Sequence, residues 1–212
     1  MNPRHPRIKR PAHAWAAAAC VASLLAACST PRHAERFHTL LSAERAADAS
    51  APAAQPIYID VLPVAVPAQV DRPEWVVRQP DDSLLLLEQD RWAAPLQDEL
   101  RSAIVERLTA HGGAVDVRGV ALPSPAVWRV RVDVQRFESL PGREARIESA
   151  WSISASRREA AGPLVCRSSL HEPVSGDGMP ALAAAHRRAV VKLADTIGAK
   201  LQALARGESV GC

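Results

Sequence analysis

Hydrophobic and polar side chains alternate along several stretches in the second half of the chain. In "WRVRVDVQRF", Trp128, Val130, Val132 and Val134 face one way and charged or polar residues face the other. This alternation is typical of a strand with one buried and one solvated face. Pro141-Gly142 and Gly162-Pro163 supply turn residues between such stretches. The pattern predicts an antiparallel meander of three strands: "VWRVRVDVQRF", "EARIESAWSISASR" and "LVCRSSLHEP".

Strands in the first half of the chain are shorter and interrupted. "RFHTL" indicates a first strand, and "IYIDVLPVAVP" a second one, where the internal Pro63 predicts an edge position or a bulge. "EWVVRQPDDSLLLLE" predicts a hairpin, since Gln79-Pro80-Asp81-Asp82 provides the turn between two apolar runs. "AVDVR" predicts one further short strand.

Two stretches have helical spacing instead. From Pro95 to about Ala110 an apolar residue recurs at every fourth position, with proline in the first turn and Gly112 just past the end. A second helix is predicted from Leu182 to Leu204. The elements together predict an α+β fold, a two-layer sandwich in which two helices pack on one face of a mostly antiparallel sheet. The apolar positions of the first helix are Leu96, Leu100, Ile104 and Leu108.

The N-terminus has the organisation of a secretory signal. Residues 1–10 are basic without an acid, and residues 11–27 are apolar and uncharged. The apolar run is shorter than the roughly 20 residues that a membrane-spanning helix needs. We therefore expect this segment to be removed from the mature protein.

The end of that run, Leu25-Ala26-Ala27-Cys28, resembles the lipobox of bacterial lipoproteins. The resemblance implies cleavage between Ala27 and Cys28 and attachment of a diacylglyceryl group and an N-acyl group to Cys28. Acyl chains of this kind give stable membrane attachment, since each buried CH₂ contributes about 0.8 kcal/mol. The alternative is an ordinary signal peptide with a chance cysteine. Ser29, where an aspartate would imply retention in the inner membrane, favours the periplasmic face of the outer membrane.

The chain accordingly divides into four parts. Residues 1–27 are the signal peptide, and residues 28–56 hold the lipidated N-terminus, the first short strand and a flexible loop rich in alanine and proline. Residues 57–206 are the folded domain, and residues 207–212 are a tail.

Charge and cysteine content narrow the classes of partner. Removing residues 1–28 leaves 22 Lys and Arg against 23 Asp and Glu, so the mature chain has no basic excess for nucleic acid. Two cysteines remain, Cys166 and Cys212. They can form a disulfide in an oxidising periplasm. The alternatives are a buried Cys166 that behaves as a small hydrophobe and a free Cys212 at a frayed terminus.

No motif for catalysis or for a cofactor stands out. The sequence has no G-x-S-x-G, no cysteine or histidine pair at zinc spacing and no phosphate-binding glycine loop. His171 and His186 are interpreted as lone surface histidines, and His111 as an ordinary helix-end residue. We predict a protein that is not an enzyme and that uses no metal and no cofactor.

One block is more specific than a generic strand and hairpin: "IDVLPVAVPAQVDRPEWVVRQPDDSLLLLEQDRWAAPLQDELRSAIVERL". It resembles the PqiC family of ABC-type transport auxiliary lipoproteins, in which a V-x-P-V-x-x-P strand precedes D-R-P, V-x-R and R-W-A-x-P-L. The matching residues include Arg72, Arg91 and Trp92. These three are candidates for a partner or oligomer contact, with packing on the sheet as the alternative for Trp92. The loop at 42–56 and the Cys212 tail depart from the family pattern.

The resemblance implies a function in lipid transport. It implies a non-catalytic lipoprotein that works with an MCE-domain protein, holds a lipid conduit at the outer membrane as a homo-oligomeric ring, and supports envelope integrity. An envelope-assembly or peptidoglycan-synthase-activating lipoprotein is the alternative, with a monomeric periplasmic lipid carrier as the third. The tryptophans at 75, 92, 128 and 151 are interpreted as core residues rather than the lining of a lipid cavity.

Overall fold

The strands of the protein form two separate sheets, and two helices cover one of them. The computed structural model describes residues 34–42, 56–120, 127–156 and 162–212. The elements in chain order are β1 (Arg36–His38), β2 (Ile57–Val61), β3 (Glu74–Arg78), β4 (Leu84–Trp92), α1 (Leu96–Gly112), β5 (Ala114–Asp116), β6 (Trp128–Leu140), β7 (Glu144–Ala155), β8 (Leu164–Pro173) and α2 (Gly178–Ala205).

The larger sheet has five strands in the order β5-β2-β6-β7-β8. Strands β6, β7 and β8 pair antiparallel, which confirms the predicted meander. Strand β2 runs parallel to both of its neighbours, β5 and β6. Parallel neighbours need long crossover connections, and the hairpin and α1 lie in the connection from β2 to β5.

The smaller sheet has three strands in the order β1-β4-β3. The hairpin of β3 and β4 is antiparallel as predicted, and β1 adds to β4 in parallel. The predicted α+β sandwich is therefore confirmed, but the strands belong to two mixed sheets. Alternation within each strand predicts a buried face and does not determine which strands become neighbours.

Pro63 lies just beyond a strand. Strand β2 ends at Val61, and the chain then follows β6 through a bond from Leu62 N–H to the Val130 carbonyl (2.9 Å) and a single bridge between Ala65 and Asp133. Proline has no N–H to donate to a ladder, which explains why regular pairing stops here.

Both helices pack on the same face of the larger sheet. The four predicted apolar positions of α1, Leu96 to Leu108, are 0–1% exposed, and the predicted inner face of β6 from Val130 to Val134 is equally buried. Helix α1 starts after Pro95 and ends at Gly112, and the capping residue Gly113 (φ 62°) donates its N–H to the Leu108 carbonyl. Within the described residues, neither helix combines the length and apolar content that crossing a membrane would require.

Candidate partner-contact surface

Among the described residues, the longest run of exposed large apolar side chains lies on the β3–β4 hairpin. Leu84, Leu85 and Leu86 are 42%, 46% and 41% exposed. Because successive side chains of a strand point to opposite faces, these leucines present apolar surface on both faces of β4. Apolar surface of this extent on one strand is a feature of interaction sites.

The same run has a free backbone edge. Leu84–Leu87 pair with β3 on one side, whereas β1 pairs only with Asp90–Trp92 on the other. Along 84–89, therefore, no described strand pairs with the outer edge of β4. An apolar edge strand with unpaired N–H and C=O groups is a template for pairing with another strand. We call residues 84–89 the leucine edge.

Acidic side chains flank the leucine edge. Asp81 and Asp82 lie in the turn and Glu88 follows the leucines, all exposed. Asp82 adopts φ 65°, a left-handed conformation that aspartate tolerates in turns. A hydrogen bond from Ser83 lowers the pKa of the Asp81 carboxyl, so Asp81 is ionised at neutral pH. The guanidinium of the neighbouring Arg78 binds Glu138 (2.7 Å), donates to the Asp82 carbonyl (3.0 Å) and lies 3.9 Å from the Asp82 carboxylate. One arginine thus faces two acids, and Asp81 and Glu88 leave the exposed charge of the hairpin negative.

A buried chain of hydrogen bonds holds the hairpin to the body. The Trp75 indole N–H donates to Ser139 Oγ (2.7 Å), and Ser139 Oγ lies 2.8 Å from His186 Nε2. These residues belong to β3, β6 and α2, so the chain joins both sheets and a helix. His186 also stacks on Phe137, with ring centroids 4.1 Å apart.

Trp92 belongs to this interior rather than to the surface. Its ring lies 4.3 Å from Trp75, and it is 5% exposed. The candidate partner contact at Trp92 is therefore corrected: packing is the role that the structure shows. The ring is at the end of β4, beyond the leucine edge, where the strand turns into the core.

The two candidate arginines occupy different environments. Arg72 is exposed, in the loop before β3, and among the described residues it forms no ion pair. Arg91 is half-buried, and its guanidinium lies 3.4 Å from Glu35 and 3.7 Å from Glu74. Arg91 is thus engaged in ion pairs within the chain. The structure does not bring Arg72 and Arg91 together into one site.

The segment that follows the N-terminal part of the chain is fixed to the body. Asp90 accepts hydrogen bonds from Arg36 (2.6 Å) and pairs with His38 (2.8 Å), and Glu99 accepts from Thr39 Oγ1 and Leu40 N–H. Burial raises the pKa of the Asp90 carboxyl, but the hydrogen bonds and charges of Arg36 and His38 together lower it below its usual range. A membrane anchor upstream of this segment would therefore connect to the folded core through β1.

The predicted lipidation site, Cys28, and the cleavage residue Ala27 lie outside the described residues, as does most of the loop at 42–56. Cys166 and Cys212 do lie within them, and the structure joins them in a disulfide with a Cα–Cα distance of 5.5 Å. This bond ties the last residue of the chain to β8. Cys166 is itself buried, but Cys212 is bonded to it rather than free, so the structure has the disulfide and not the alternative of two separate thiols.

A cleft lies where the tail passes the open end of the larger sheet. Its volume is about 500 Å³, and its lining includes the apolar side chains of Trp128, Leu164, Leu204 and Val210. Trp128 is half-buried, while Trp75, Trp92 and Trp151 are 1–5% exposed. The core interpretation of the tryptophans is therefore confirmed for three of the four. Among the described residues, no group of three or more His, Cys, Asp or Glu side chains is placed to hold a metal ion.

His186 and the leucine edge differ from what the sequence pattern predicts. His186 is not a surface residue: it is fully buried, and desolvation lowers its pKa to about 3. Helical spacing gave a signal, because His186 falls four residues after Leu182 and four before Val190 on the apolar face. The leucine edge had no such signal, since an apolar run is equally typical of a buried strand.

Comparisons with known proteins give the family. The chain matches the family described as ABC-type transport auxiliary lipoprotein component over residues 38–198. The crystal structure of an uncharacterized protein is similar with a TM-score of 0.63 and 16% identity, covering 80% of this chain and 99% of that one. The crystal structure of a protein from Xanthomonas campestris, assigned to the DUF330 family, has a TM-score of 0.52 and 20% identity, covering 81% and 88%. The search of curated proteins found no match. At these identities the two crystal structures support the fold, and the match over most of the chain shows that the protein belongs to the ABC-type transport auxiliary lipoprotein component family.

Proposed function

We propose that the protein is a non-enzymatic lipoprotein of the outer membrane that docks the periplasmic end of an MCE-type lipid conduit at that membrane. Family membership over residues 38–198 is the observation that carries the proposal, because it identifies an auxiliary component of a transport system. The lipobox-like sequence ending at Cys28 supports the membrane anchor. In this proposal the protein acts as a homo-oligomeric ring and uses no cofactor.

The geometry of the body supports a role in protein contact. The exposed leucine edge offers both apolar side chains and free backbone groups. The bonds of Asp90 on β4 and Glu99 on α1 to residues 36–40 fix the described segment nearest the proposed anchor to the smaller sheet and to a helix. A force applied to the leucine edge would thus pass from β4 to β1.

Affinity purification of the full-length lipoprotein from crosslinked, detergent-solubilised envelopes tests the proposal. We expect an MCE-domain protein to be recovered and identified by mass spectrometry. Recovery should be lost for Cys28→Ser, which removes the acylated thiol. The matched control is Ser29→Thr, which keeps the cysteine and a hydroxyl residue after it. Recovery of a peptidoglycan synthase or an outer-membrane assembly protein instead would assign the protein to the envelope-assembly class.

One observation favours a second function, that of a monomeric lipid carrier. The cleft beside Trp128 and Leu204 is partly apolar and about 500 Å³ in volume. If the protein carries lipid there, native mass spectrometry of the purified protein should show a bound lipid that Leu204→Arg abolishes. Absence of bound lipid in the wild-type protein would leave the docking function as the single proposal.

A further inference from the structure

We propose that copies of this protein assemble head to tail by pairing the leucine edge of one copy with the free edge of β8 in the next. The inference deepens the proposed ring and rests on the proposed function only for what that ring does. It names the two surfaces that meet, their relative direction and the charges that select it. The observations that carry it are two strand edges that no other described strand pairs with, and the opposite charges beside them.

The second edge belongs to the larger sheet. Strand β8 is the last strand of that sheet, and in the described chain it pairs only with β7. The tail covers its beginning, where Cys212 Sγ lies 3.1 Å from the Val165 carbonyl. Residues 167–171 beyond this point are therefore the part of the edge that a second copy can reach.

The charges at the two edges are complementary. The leucine edge is flanked by Asp81, Asp82 and Glu88, whereas Arg167 lies on β8 and Arg143 lies in the turn between β6 and β7, all exposed. The backbone places Arg143 next to the end of β8, because Val174 N–H donates to the Arg143 carbonyl (2.8 Å). Among the described residues, neither Arg143 nor Arg167 forms an ion pair.

An antiparallel pairing uses all of these charges at once. In an antiparallel pair, each step back along one strand is a step forward along the other. When Glu88 lies opposite Arg167, Leu86 therefore lies opposite Ser169, and Leu85 lies opposite Leu170. The turn with Asp81 and Asp82 then extends past the end of β8 toward Arg143. A parallel pairing with the same Glu88–Arg167 contact directs the acidic turn away from Arg143. Complementary charges at both ends fix register and exclude other pairings.

Pairing of two different edges is a heterologous contact. Each copy keeps one free leucine edge and one free β8 edge, so addition continues until a ring closes. Pairing of two leucine edges would instead give a closed dimer and would bring Glu88 and the acidic turns of both copies together. The negative charge at both ends of the leucine edge therefore opposes the symmetric alternative.

Cysteine crosslinking between two tagged full-length versions in the same cells tests the proposal. One version carries Leu86→Cys and the other carries Ser169→Cys, both at exposed strand positions. We expect a disulfide-linked pair containing both tags on non-reducing gels. The matched control replaces Ser169→Cys with Ala199→Cys, which is exposed on α2 beside Arg107 and His111 of α1 rather than beside β8, and should give no pair.

A charge exchange tests the register. Glu88→Arg and Arg167→Glu should each reduce the crosslinked fraction by at least about tenfold, and the two together in one chain should restore it. Crosslinking of Leu86→Cys to itself would overturn the proposal in favour of a symmetric dimer. Crosslinking of Leu86→Cys to a different protein alone, or no crosslink at all, would overturn it as well. Because these readouts do not involve an MCE-domain protein, they succeed or fail independently of the proposed function.

Discussion

At the scale of single residues, His186 has the most constrained chemistry in the protein. An indole N–H can only donate, so Ser139 Oγ accepts from Trp75, and the same hydroxyl also bonds to His186 Nε2. His186 Nδ1 is buried and has no hydrogen-bond partner among the described residues. Protonation of the ring would therefore place a charge, with an unpaired N–H at Nδ1, among Trp75, Trp92 and Phe137.

Stability should therefore depend on pH through His186. Its pKa is about 3 in the folded protein and about 6.5 in the unfolded chain, so the unfolded state binds the proton first as pH falls. We expect full stability above pH 6.5 and, between pH 6.5 and the folded-state pKa of about 3, a loss of about 1.4 kcal/mol in the free energy of unfolding per pH unit. Urea unfolding at pH 7, 6 and 5 measures this slope.

A neutral substitute separates this effect from general acid sensitivity. His186→Gln retains an acceptor for Ser139 and should flatten the slope between pH 6.5 and 5. His171→Gln, which changes a histidine with a half-exposed side chain, should leave the slope as in the wild-type protein. An equal slope in His186→Gln and the wild type would show that His186 is not responsible.

At the scale of elements, the two helices meet at a small residue. Gly198 of α2 lies so close to α1 that an added Cβ would be 3.2 Å from Leu108 Cδ2. The pair of Arg107 with Asp195 (2.6 Å) crosses the same contact. The distance between α1 and α2 is short at this point because Gly198 has no side chain.

A large side chain at this contact should destabilise the fold. Gly198→Leu would force α2 away from α1 and should lower the free energy of unfolding by about 1–3 kcal/mol. Ala199→Leu on the exposed side of the same helix should change it by no more than about 0.5 kcal/mol. Equal effects of the two variants in urea unfolding would mean that the helices do not pack as described.

The tail is the second element whose attachment has a measurable consequence. The Cys166–Cys212 bond closes a loop with a sequence separation of 46, for which the chain-entropy model gives about 4 kcal/mol of stabilisation. We expect a reducing agent to lower the thermal unfolding temperature of the wild-type protein. Cys212→Ser should already unfold at the lower temperature and should not respond to the reducing agent. A wild-type protein that is insensitive to reduction would indicate free thiols.

At the scale of the whole molecule, the anchor decides where the body acts. We expect mass spectrometry of the mature N-terminus to find Cys28 as the first residue with its acyl groups. Cys28→Ser should shift the protein from the membrane fraction to the soluble periplasmic fraction. Two or more acyl chains provide stable attachment, and the variant would have no acyl chain. An unmodified Cys28 at the N-terminus of the wild-type protein, or a different first residue, would contradict the lipobox interpretation.

Part of this protein is determined by its sequence alone. Alternation in β6 and the four-residue spacing in α1 predict the elements and their buried faces, because side-chain direction follows directly from backbone geometry. Proline and aspartate predict the hairpin turn for the same local reason. The D-R-P and R-W-A-x-P-L block also indicated the family that the comparison confirmed.

The tertiary structure decided the rest. The division into two sheets depends on which strands become neighbours, and the burial of His186 depends on Ser139 and Trp75, which lie 47 and 111 positions before it in the sequence. The backbone edge of residues 84–89 is open because, among the described strands, β1 pairs only with the end of β4. Such contacts join residues far apart in the chain, and a local pattern of polarity carries no information about which distant segment will cover a given face.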